Sequence, residues 1–187
     1  PSVSSIPKVH ATKFHDLSER ILIDNERCIM CSRCVRFTNE ISKTRSLGVQ
    51  ERGDSSVIRA AEDGSFAADA YSDNVIDICP VGALLSRSFL HKARVWYLEP
   101  TPSVCPGCER GCNVKLWHRK SEWKLKALDP QQNARIDRVT PLENDAVNGP
   151  WICNKGRDLA QVFERARAEQ AMLKGEAVEL QAAIVIA

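Results

Sequence analysis

Several features that define common protein classes are missing from this 187-residue sequence. It has no long uncharged apolar run, so no membrane-spanning helix is predicted. The 26 basic and 24 acidic residues leave a net charge of only +2, which is too even a balance to predict a nucleic-acid or anionic-lipid partner. The glycines lie in cysteine loops and turns rather than in a phosphate-binding loop, so no flavin or nicotinamide site is predicted. Because no Ser-His-Asp set or pair of carboxylates stands out, no catalytic residue is predicted either.

The two ends of the sequence also lack familiar features. The first residue is not Met, no apolar signal segment follows it, and the last residues, ELQAAIVIA, stop inside an apolar run. We therefore expect an excerpt of a longer chain from a reducing compartment. In such a compartment, eight cysteines favour metal ligation or redox chemistry over disulfides.

The first four cysteines have the spacing of an iron–sulfur site. Cys28, Cys31 and Cys34 form a C-x2-C-x2-C pattern, and the next cysteine is Cys79, which precedes Pro80. Two-residue gaps let a tight loop bring three thiolates to three corners of a cube, and a Cys-Pro pair recurs in bacterial ferredoxins. The four thiols are therefore predicted to hold one [4Fe–4S] cluster. A structural zinc site is the alternative, although zinc is usually held by two separated C-x2-C pairs.

The other four cysteines form a second set with a different spacing. Cys105, Cys108 and Cys112 give a C-x2-C-x3-C pattern, and Cys153 follows after a long polar stretch. Glycines at positions 107 and 111 permit the close backbone approach that a loop around a cluster requires. The eight thiols thus divide into two sets of four with none left over, which predicts two [4Fe–4S] clusters. Zinc is a somewhat better rival here than in the first set.

Charged and aromatic residues near the cysteines give weaker evidence of function than the cysteine spacing does. A thiolate-ligated [4Fe–4S] cluster is an anion, so basic neighbours would raise its reduction potential; the candidates are Arg27, Arg33, Arg36 and Lys155. The alternative is that these are solvated charges on helix faces. The four tryptophans, Trp96, Trp117, Trp123 and Trp151, either shield the clusters from water or belong to ordinary cores.

Local patterns predict short elements of both kinds, so we assign the chain to the α+β class, with small irregular iron–sulfur domains wrapped around two [4Fe–4S] clusters. Turn residues and apolar periodicity predict a strand at 20–24, a helix at 32–41, a hairpin within 47–65 and a helix that ends before Pro80. Further along we predict paired strands at 113–119 and 122–128, a surface loop at 129–150 and a helix at 154–174.

The motifs ERCIMCSRCVRF, DNVIDICPVGAL, PSVCPGCERGCNV and GPWICNKGRDL occur in this order. Together they make residues 20 to 165 resemble the large iron–sulfur subunits of bacterial NADH:quinone oxidoreductase, respiratory complex I. The resemblance implies that Cys28, Cys31, Cys34 and Cys79 ligate a chain-pathway [4Fe–4S] cluster. It also implies that Cys105, Cys108, Cys112 and Cys153 ligate an extra cluster found in some bacterial members. In the wider molybdopterin group, the lysine at the position of Lys155 helps to pass electrons to the pterin.

This resemblance implies an electron relay without its own substrate site. Electrons from NADH and flavin in a partner subunit would pass through the clusters towards quinone, alongside other iron–sulfur subunits, on the cytoplasmic side and peripheral to the inner membrane. The implied domains are an N-terminal arm at 1–20, a first [4Fe–4S] domain at 21–98, a molybdopterin-oxidoreductase-type [4Fe–4S] domain at 99–165 and the start of a truncated C-terminal domain at 166–187. The sequence departs from the family in having no cysteine before Cys28, so it lacks the N-terminal [2Fe–2S] domain.

Three other functions fit parts of the same pattern. The chain could open an NAD-linked molybdopterin formate dehydrogenase, although those enzymes generally carry a tandem two-cluster ferredoxin module. It could belong to the diaphorase of an NAD-reducing hydrogenase, whose subunit usually ends before the second set. A double zinc-binding interaction module is the remaining alternative.

Overall fold

The first half of the chain is organised around a small antiparallel sheet. The computed structural model describes residues 12–120, 135–163, 171–173 and 176–178. Strand β2, Ile21–Asp24, is central and pairs on one side with β1, Phe14–Asp16, and on the other with β5, Leu84–Ser86. Ile21 and Ile23 are fully buried on one face of β2, as expected where β-branched residues alternate along a strand.

The segment between β2 and β5 carries the first cysteine set and folds back over this sheet. Its short helices and strands are α1 (Arg33–Arg36), a π-helical turn (Phe37–Ile41), β3 (Leu47–Gln50), β4 (Val57–Ala60), α2 (Ser65–Ala68) and α3 (Asn74–Ile78). The strands β3 and β4 form an antiparallel hairpin, with a 3-10 turn at Gly53–Ser55. Apolar side chains from these elements meet in one core, in which Phe66, Ile58 and Val75 are at most 1% exposed.

A three-stranded antiparallel sheet organises the second half. Its order is β6 (Leu98–Val104), β7 (Asn113–Arg119) and β8 (Ile136–Pro141), and a 3-10 turn at Val95–Tyr97 leads into it. Two short helices follow, α4 at Asn154–Arg157 and α5 at Leu159–Phe163. Val114, Val139, Ile152 and Leu159 pack together as the core of this half.

Several sequence predictions agree with the described elements. The strand at 20–24, the helix at 32–41, the hairpin and the helix before Pro80 correspond to β2, α1 with its π turn, β3–β4 and α3. The α+β class is confirmed, because the described residues form both short helices and strands, and the strands make small sheets. Within the described ranges, no helix has the length and apolarity needed to cross a bilayer.

Two predictions are wrong in the second half. The range 129–150 is not simply a loop, because β8 lies within it, paired with β7 and with Val139 and Thr140 buried. The helix predicted at 154–174 fails at its end, where β9 (Ala171–Leu173) pairs with β10 (Glu176–Val178). Helix propensity is a weak prior that pairing with another strand overrides. The predicted strand at 122–128 lies outside the described residues.

Strand β6 is also unexpected, because the closely spaced Pro100 and Pro102 indicate a break rather than a strand. Within the described residues β6 is at the edge of its sheet, with β7 as its neighbour. Pro100 lies opposite Trp117 and Pro102 opposite Lys115, so the two prolines occupy alternate positions. Their missing N–H groups therefore face away from β7, where an edge strand needs no donor. In the range expected to be an irregular arm, 1–20, residues Phe14–Asp16 likewise form a strand.

Candidate iron–sulfur centres

The four cysteines of the first set line a single apolar cavity. Cys28, Cys31, Cys34 and Cys79 all line the same small pocket. The apolar residues Ile23, Ile58, Val81 and Leu84 complete most of its wall. Because Cys79 is 45 residues beyond Cys34 in sequence, only the packing of α3 on the core brings its thiol to the same place as the other three.

The loop that carries the first three thiols has an unusual backbone. Met30 and Ser32, which flank Cys31, have positive φ angles of 53° and 59°. Each left-handed non-glycine residue costs about 1–2 kcal/mol, so the surrounding structure must hold this conformation in place. Alternation of left-handed residues is typical of backbone nests, whose N–H groups bind anions. A thiolate-ligated cluster is such an anion.

Cys79 is placed by the end of α3 and by the turn that follows it. The helix ends at Ile78, and the backbone N–H of Ala83 donates a hydrogen bond to the Cys79 Sγ at 3.3 Å. Gly82, with φ of 61°, supplies the left-handed residue that this turn requires. Hydrogen bonds to ligand sulfur are one of the ways in which a protein sets the potential of a cluster.

Exposure differs among the first four thiols. Cys34 is buried and Cys31 is exposed, so one side of the cavity faces the interior and the other faces the surface. Burial is the main cause that raises the pKa of Cys34 to about 11. In the absence of metal this thiol is therefore protonated at neutral pH, and binding of iron releases a proton.

The second set of cysteines is gathered around the end of β6 and the start of α4. Cys105 is buried directly after β6, and its backbone N–H donates to the Cys112 carbonyl at 2.8 Å. Cys153 precedes the first residue of α4, and Cys108 is exposed. Burial is the main cause that raises the pKa of Cys112. The charge of Arg110 acts against this rise, whereas negative charge on the other three cysteines of the set adds to it.

Two glycines leave room beside the second set. A Cβ atom on Gly107 would lie 3.4 Å from the Cys105 Sγ. A Cβ atom on Gly156 would lie 3.7 Å from the Cys105 Sγ and 3.8 Å from the Cys153 Sγ, so the backbone of α4 approaches both sulfurs. This is a cradle that side chains at either position would begin to fill.

The donors and the space of both sets fit iron–sulfur clusters. Each set offers four thiols, and each has a backbone feature suited to an anionic cofactor, namely the left-handed loop and N–H···S contact in the first and the glycine cradle in the second. Among the residues that the structure describes, no group of three or more His, Cys, Asp or Glu side chains is arranged to hold a single metal ion.

The predicted tuning residues occupy different environments. Arg33 lines the cavity of the first set, whereas Arg27 forms an ion pair with the buried Asp24 at 3.3 Å. Arg36 lies in a neighbouring surface hollow. Lys155 is exposed on α4.

The tryptophans divide between core and surface positions. Trp151 packs edge-on against Phe37, with ring centroids 5.0 Å apart, and this contact joins the two halves of the chain. Trp117 donates to the Thr140 hydroxyl at 2.8 Å within the second sheet, and Trp96 is 62% exposed. Trp123 lies outside the described residues.

The sequence analysis missed the residues that join the two halves near the fourth cysteine of each set. Asn74 of α3 contacts Ile152, next to Cys153. Asn154 of α4 contacts the segment that leads into α3, and Arg157 of α4 contacts Asn74 and Asp77 of α3 itself. About 80 residues separate the partners, so no local pattern could have indicated these pairs.

Comparisons with known proteins divide the chain into nearly the same two halves as the fold does, with the boundary between residues 85 and 98. Residues 18–85 match the family model of the NADH-quinone oxidoreductase subunit 3 ferredoxin-like domain. Residues 98–165 match that of the molybdopterin oxidoreductase Fe4S4 domain.

Curated relatives cover most of the chain. NADH-quinone oxidoreductase subunit 3 of Thermus thermophilus is 35% identical over 176 residues, which are 94% of this chain and 20% of that protein. An NADH-quinone oxidoreductase subunit of Streptomyces coelicolor is 35% identical over 75% of this chain and 15% of that protein. The mitochondrial NADH dehydrogenase [ubiquinone] iron-sulfur protein 1 of Solanum tuberosum is 35% identical over 83% of this chain and 19% of that protein. The chain thus spans a fifth or less of the length of these relatives.

Proposed function

This chain belongs to the family of the large iron–sulfur subunit of NADH-quinone oxidoreductase, and on that premise we propose that it is an electron-transfer segment of such a complex. It would relay single electrons that originate on NADH and flavin in a partner subunit towards quinone. The observation that carries the proposal is the cavity lined by Cys28, Cys31, Cys34 and Cys79.

The proposed cofactors are two [4Fe–4S] clusters. Cys28, Cys31, Cys34 and Cys79 would hold the first, and Cys105, Cys108, Cys112 and Cys153 would hold the second. Support for the second site comes from the glycine cradle and from the Fe4S4 family model that matches this region. We assign the first site to a domain at 21–98 and the second to a domain at 99–165.

The chain's own residues act by binding, burying and tuning rather than by acid–base chemistry. When bound, an iron–sulfur cluster accepts and releases one electron at a time. The apolar wall around the first set, with Ile23 and Ile58, lowers the local dielectric constant and keeps water from the buried side of the cavity, where Cys34 lies. The hydrogen bond from the Ala83 N–H to the Cys79 Sγ and the positive charge of Arg33 would both stabilise the extra electron of a reduced cluster. Both would therefore raise the reduction potential of the first cluster. Lys155 is proposed to do the same, more weakly, from its exposed position.

The proposed partners are a flavin- and NADH-binding subunit and other iron–sulfur subunits of the same complex. The proposed location is the cytoplasmic side, peripheral to the inner membrane. A formate dehydrogenase or a hydrogenase diaphorase is not favoured, because the relatives compared are subunits of NADH-quinone or NADH-ubiquinone oxidoreductase.

Metal analysis of the anaerobically purified protein tests the proposal. We expect about eight iron atoms and about eight acid-labile sulfides per chain, as two [4Fe–4S] clusters require, with a brown colour that bleaches on reduction. In the assembled complex, NADH should reduce clusters that are lost when Cys34 or Cys112 is replaced by Ser. Two zinc atoms without inorganic sulfide would contradict the proposal and support the zinc module.

A further inference from the structure

Two asparagine side chains, one in each half of the chain, form hydrogen bonds with the other half. Asn74, which is fully buried, donates through Nδ2 to the Ile152 carbonyl at 2.9 Å and accepts through Oδ1 from the Ile152 N–H at 3.3 Å. Asn154 donates through Nδ2 to the Asp69 carbonyl at 3.0 Å and to the Ser72 hydroxyl at 3.1 Å. We call this pair, Asn74 and Asn154, the asparagine brace.

Backbone contacts extend the brace on both sides. The Asn154 N–H donates to the Ala70 carbonyl at 2.7 Å, and the Asn154 Oδ1 accepts from the Asp73 N–H at 3.1 Å. Asn74 Nδ2 also donates to the Tyr71 carbonyl at 2.8 Å, within its own half. Each asparagine side chain therefore uses both its donor and its acceptor, and Asn74 does so where it is fully buried and an unpaired polar group would be costly.

Each asparagine lies close in sequence to the fourth cysteine of one set. Asn74 is the first residue of α3, whose end delivers Cys79, and Asn154 immediately follows Cys153. The other three cysteines of each set share a compact loop, whereas Cys79 and Cys153 arrive from distant parts of the sequence. The brace thus fixes the two ligands that their own loops do not.

Ion pairs reinforce the same boundary. Asp77 on α3 accepts from Arg138 at 2.7 Å and from Arg157 at 2.5 Å. Arg20 at the start of the first sheet donates to Asp73 and to Asp158, at 2.6 Å and 2.8 Å, from both sides of the boundary. With these contacts α3 and α4 are fastened together as one unit.

We propose that the asparagine brace couples the two cluster sites, with Asn154 positioning Cys79 for the first cluster and Asn74 positioning Cys153 for the second. This inference rests on the proposed function, because it takes both sets of cysteines as cluster ligands. A residue of the second domain thereby controls how firmly the first domain holds its cluster.

The test compares cluster release in the intact, anaerobically purified protein and in its variants. Each cluster is followed by its own electron paramagnetic resonance signal and by the rate at which an iron chelator removes it. For Asn154→Ala and the conservative Asn154→Asp, we expect the first cluster to be released about tenfold faster, which lies within the usual range of coupling between sites. The signal shape and midpoint potential of the first cluster should also shift, because the Cys79 sulfur moves.

Asn148→Ala is the matched control. Asn148 is 6% exposed and makes a similar set of hydrogen bonds, but all of its partners lie in the second half, at Asn113, Leu142, Gly149 and Trp151. We expect this variant to affect the second cluster and to leave the potential and release rate of the first unchanged.

Three outcomes overturn the inference while leaving the proposed function intact. The Asn154 variants could release the first cluster at the wild-type rate with an unchanged potential. They could alter the second cluster alone, or Asn148→Ala could alter the first cluster as strongly as they do. Absence of iron and sulfide from the wild-type protein would instead contradict the proposed function itself, before any variant is compared.

Discussion

Replacement of Gly156 by Ala tests whether the space beside this residue is needed by the cofactor. The polypeptide should tolerate the added methyl group, whereas a bound cluster should not. Gly156 lies in α4 without a positive φ, and an added Cβ would lie 3.7 Å and 3.8 Å from the Cys105 and Cys153 sulfurs and 3.9 Å from the Ile152 Cβ. All three are normal van der Waals distances, so the methyl group meets no clash within the polypeptide. The space between the two sulfurs is nevertheless the space that a cluster bound by both must enter.

The substitution is expected to stabilise the polypeptide and to weaken the binding of the cluster. In the polypeptide, Ala in place of Gly inside a helix contributes about 0.8–1 kcal/mol of stability. Against a bound cluster the same methyl group overpacks the site, and overpacking typically costs about 1–3 kcal/mol. A cost of about 1–3 kcal/mol corresponds to a release of the second cluster about 5 to 150 times faster.

The assay measures iron, sulfide and the chelator-driven release rate of each cluster in the anaerobically purified Gly156→Ala protein. Gly48→Ala is the control, because a Cβ on Gly48 of β3 meets nothing within 4 Å and its φ is not positive. We expect the control to match the wild type and Gly156→Ala to lose the second cluster selectively. If Gly156→Ala retains the second cluster as well as the control does, the glycine cradle is not part of the cofactor site.

Three further substitutions test the energetics of the fold and of the first site, each by urea denaturation of the intact protein. Ser32→Gly should leave stability unchanged or raise it by up to about 1 kcal/mol, because glycine adopts the positive φ at this position without strain; a clear loss would contradict the strain argument. Arg20→Gln should lower the free energy of unfolding by about 2–3 kcal/mol, because it leaves the Asp73 carboxylate, with a side chain 5% exposed, without its cation; a loss under about 0.5 kcal/mol would show that this ion pair contributes little. Ile58→Ala should lower the free energy of unfolding by about 2–5 kcal/mol, because Ile58 is 1% exposed. It should also speed release of the first cluster, because Ile58 is part of the wall of its cavity. Unchanged release would show that this wall does not protect the cluster.

The parts of the fold that could be predicted from the sequence are those governed by neighbouring residues. Strand β2 was predictable because Ile21 and Ile23 alternate with other residues on a buried face. The hairpin of β3 and β4 was indicated by turn residues such as Gly53, which has a φ of 60°. The grouping of Cys28, Cys31 and Cys34 needed nothing more than their spacing.

The parts that could not be predicted depend on partners distant in sequence. Strand β8 resembles a polar, proline-containing loop in sequence, and only its pairing with β7 and the burial of Val139 make it a strand. The prolines of β6 are compatible with a strand only because β6 lies at a sheet edge, which a single strand's sequence does not reveal. The asparagine brace joins residues about 80 positions apart, and an Asn in such a stretch usually indicates a turn or a cap.

Electron paramagnetic resonance of the dithionite-reduced protein at low temperature tests the central claim most directly. Two clusters held by separate sets of four cysteines should give two distinct [4Fe–4S] signals. Cys34→Ser should abolish one signal and Cys112→Ser the other, with iron and sulfide falling by about half in each variant. A protein that binds zinc without sulfide, or a single signal that needs cysteines from both sets, would contradict the account.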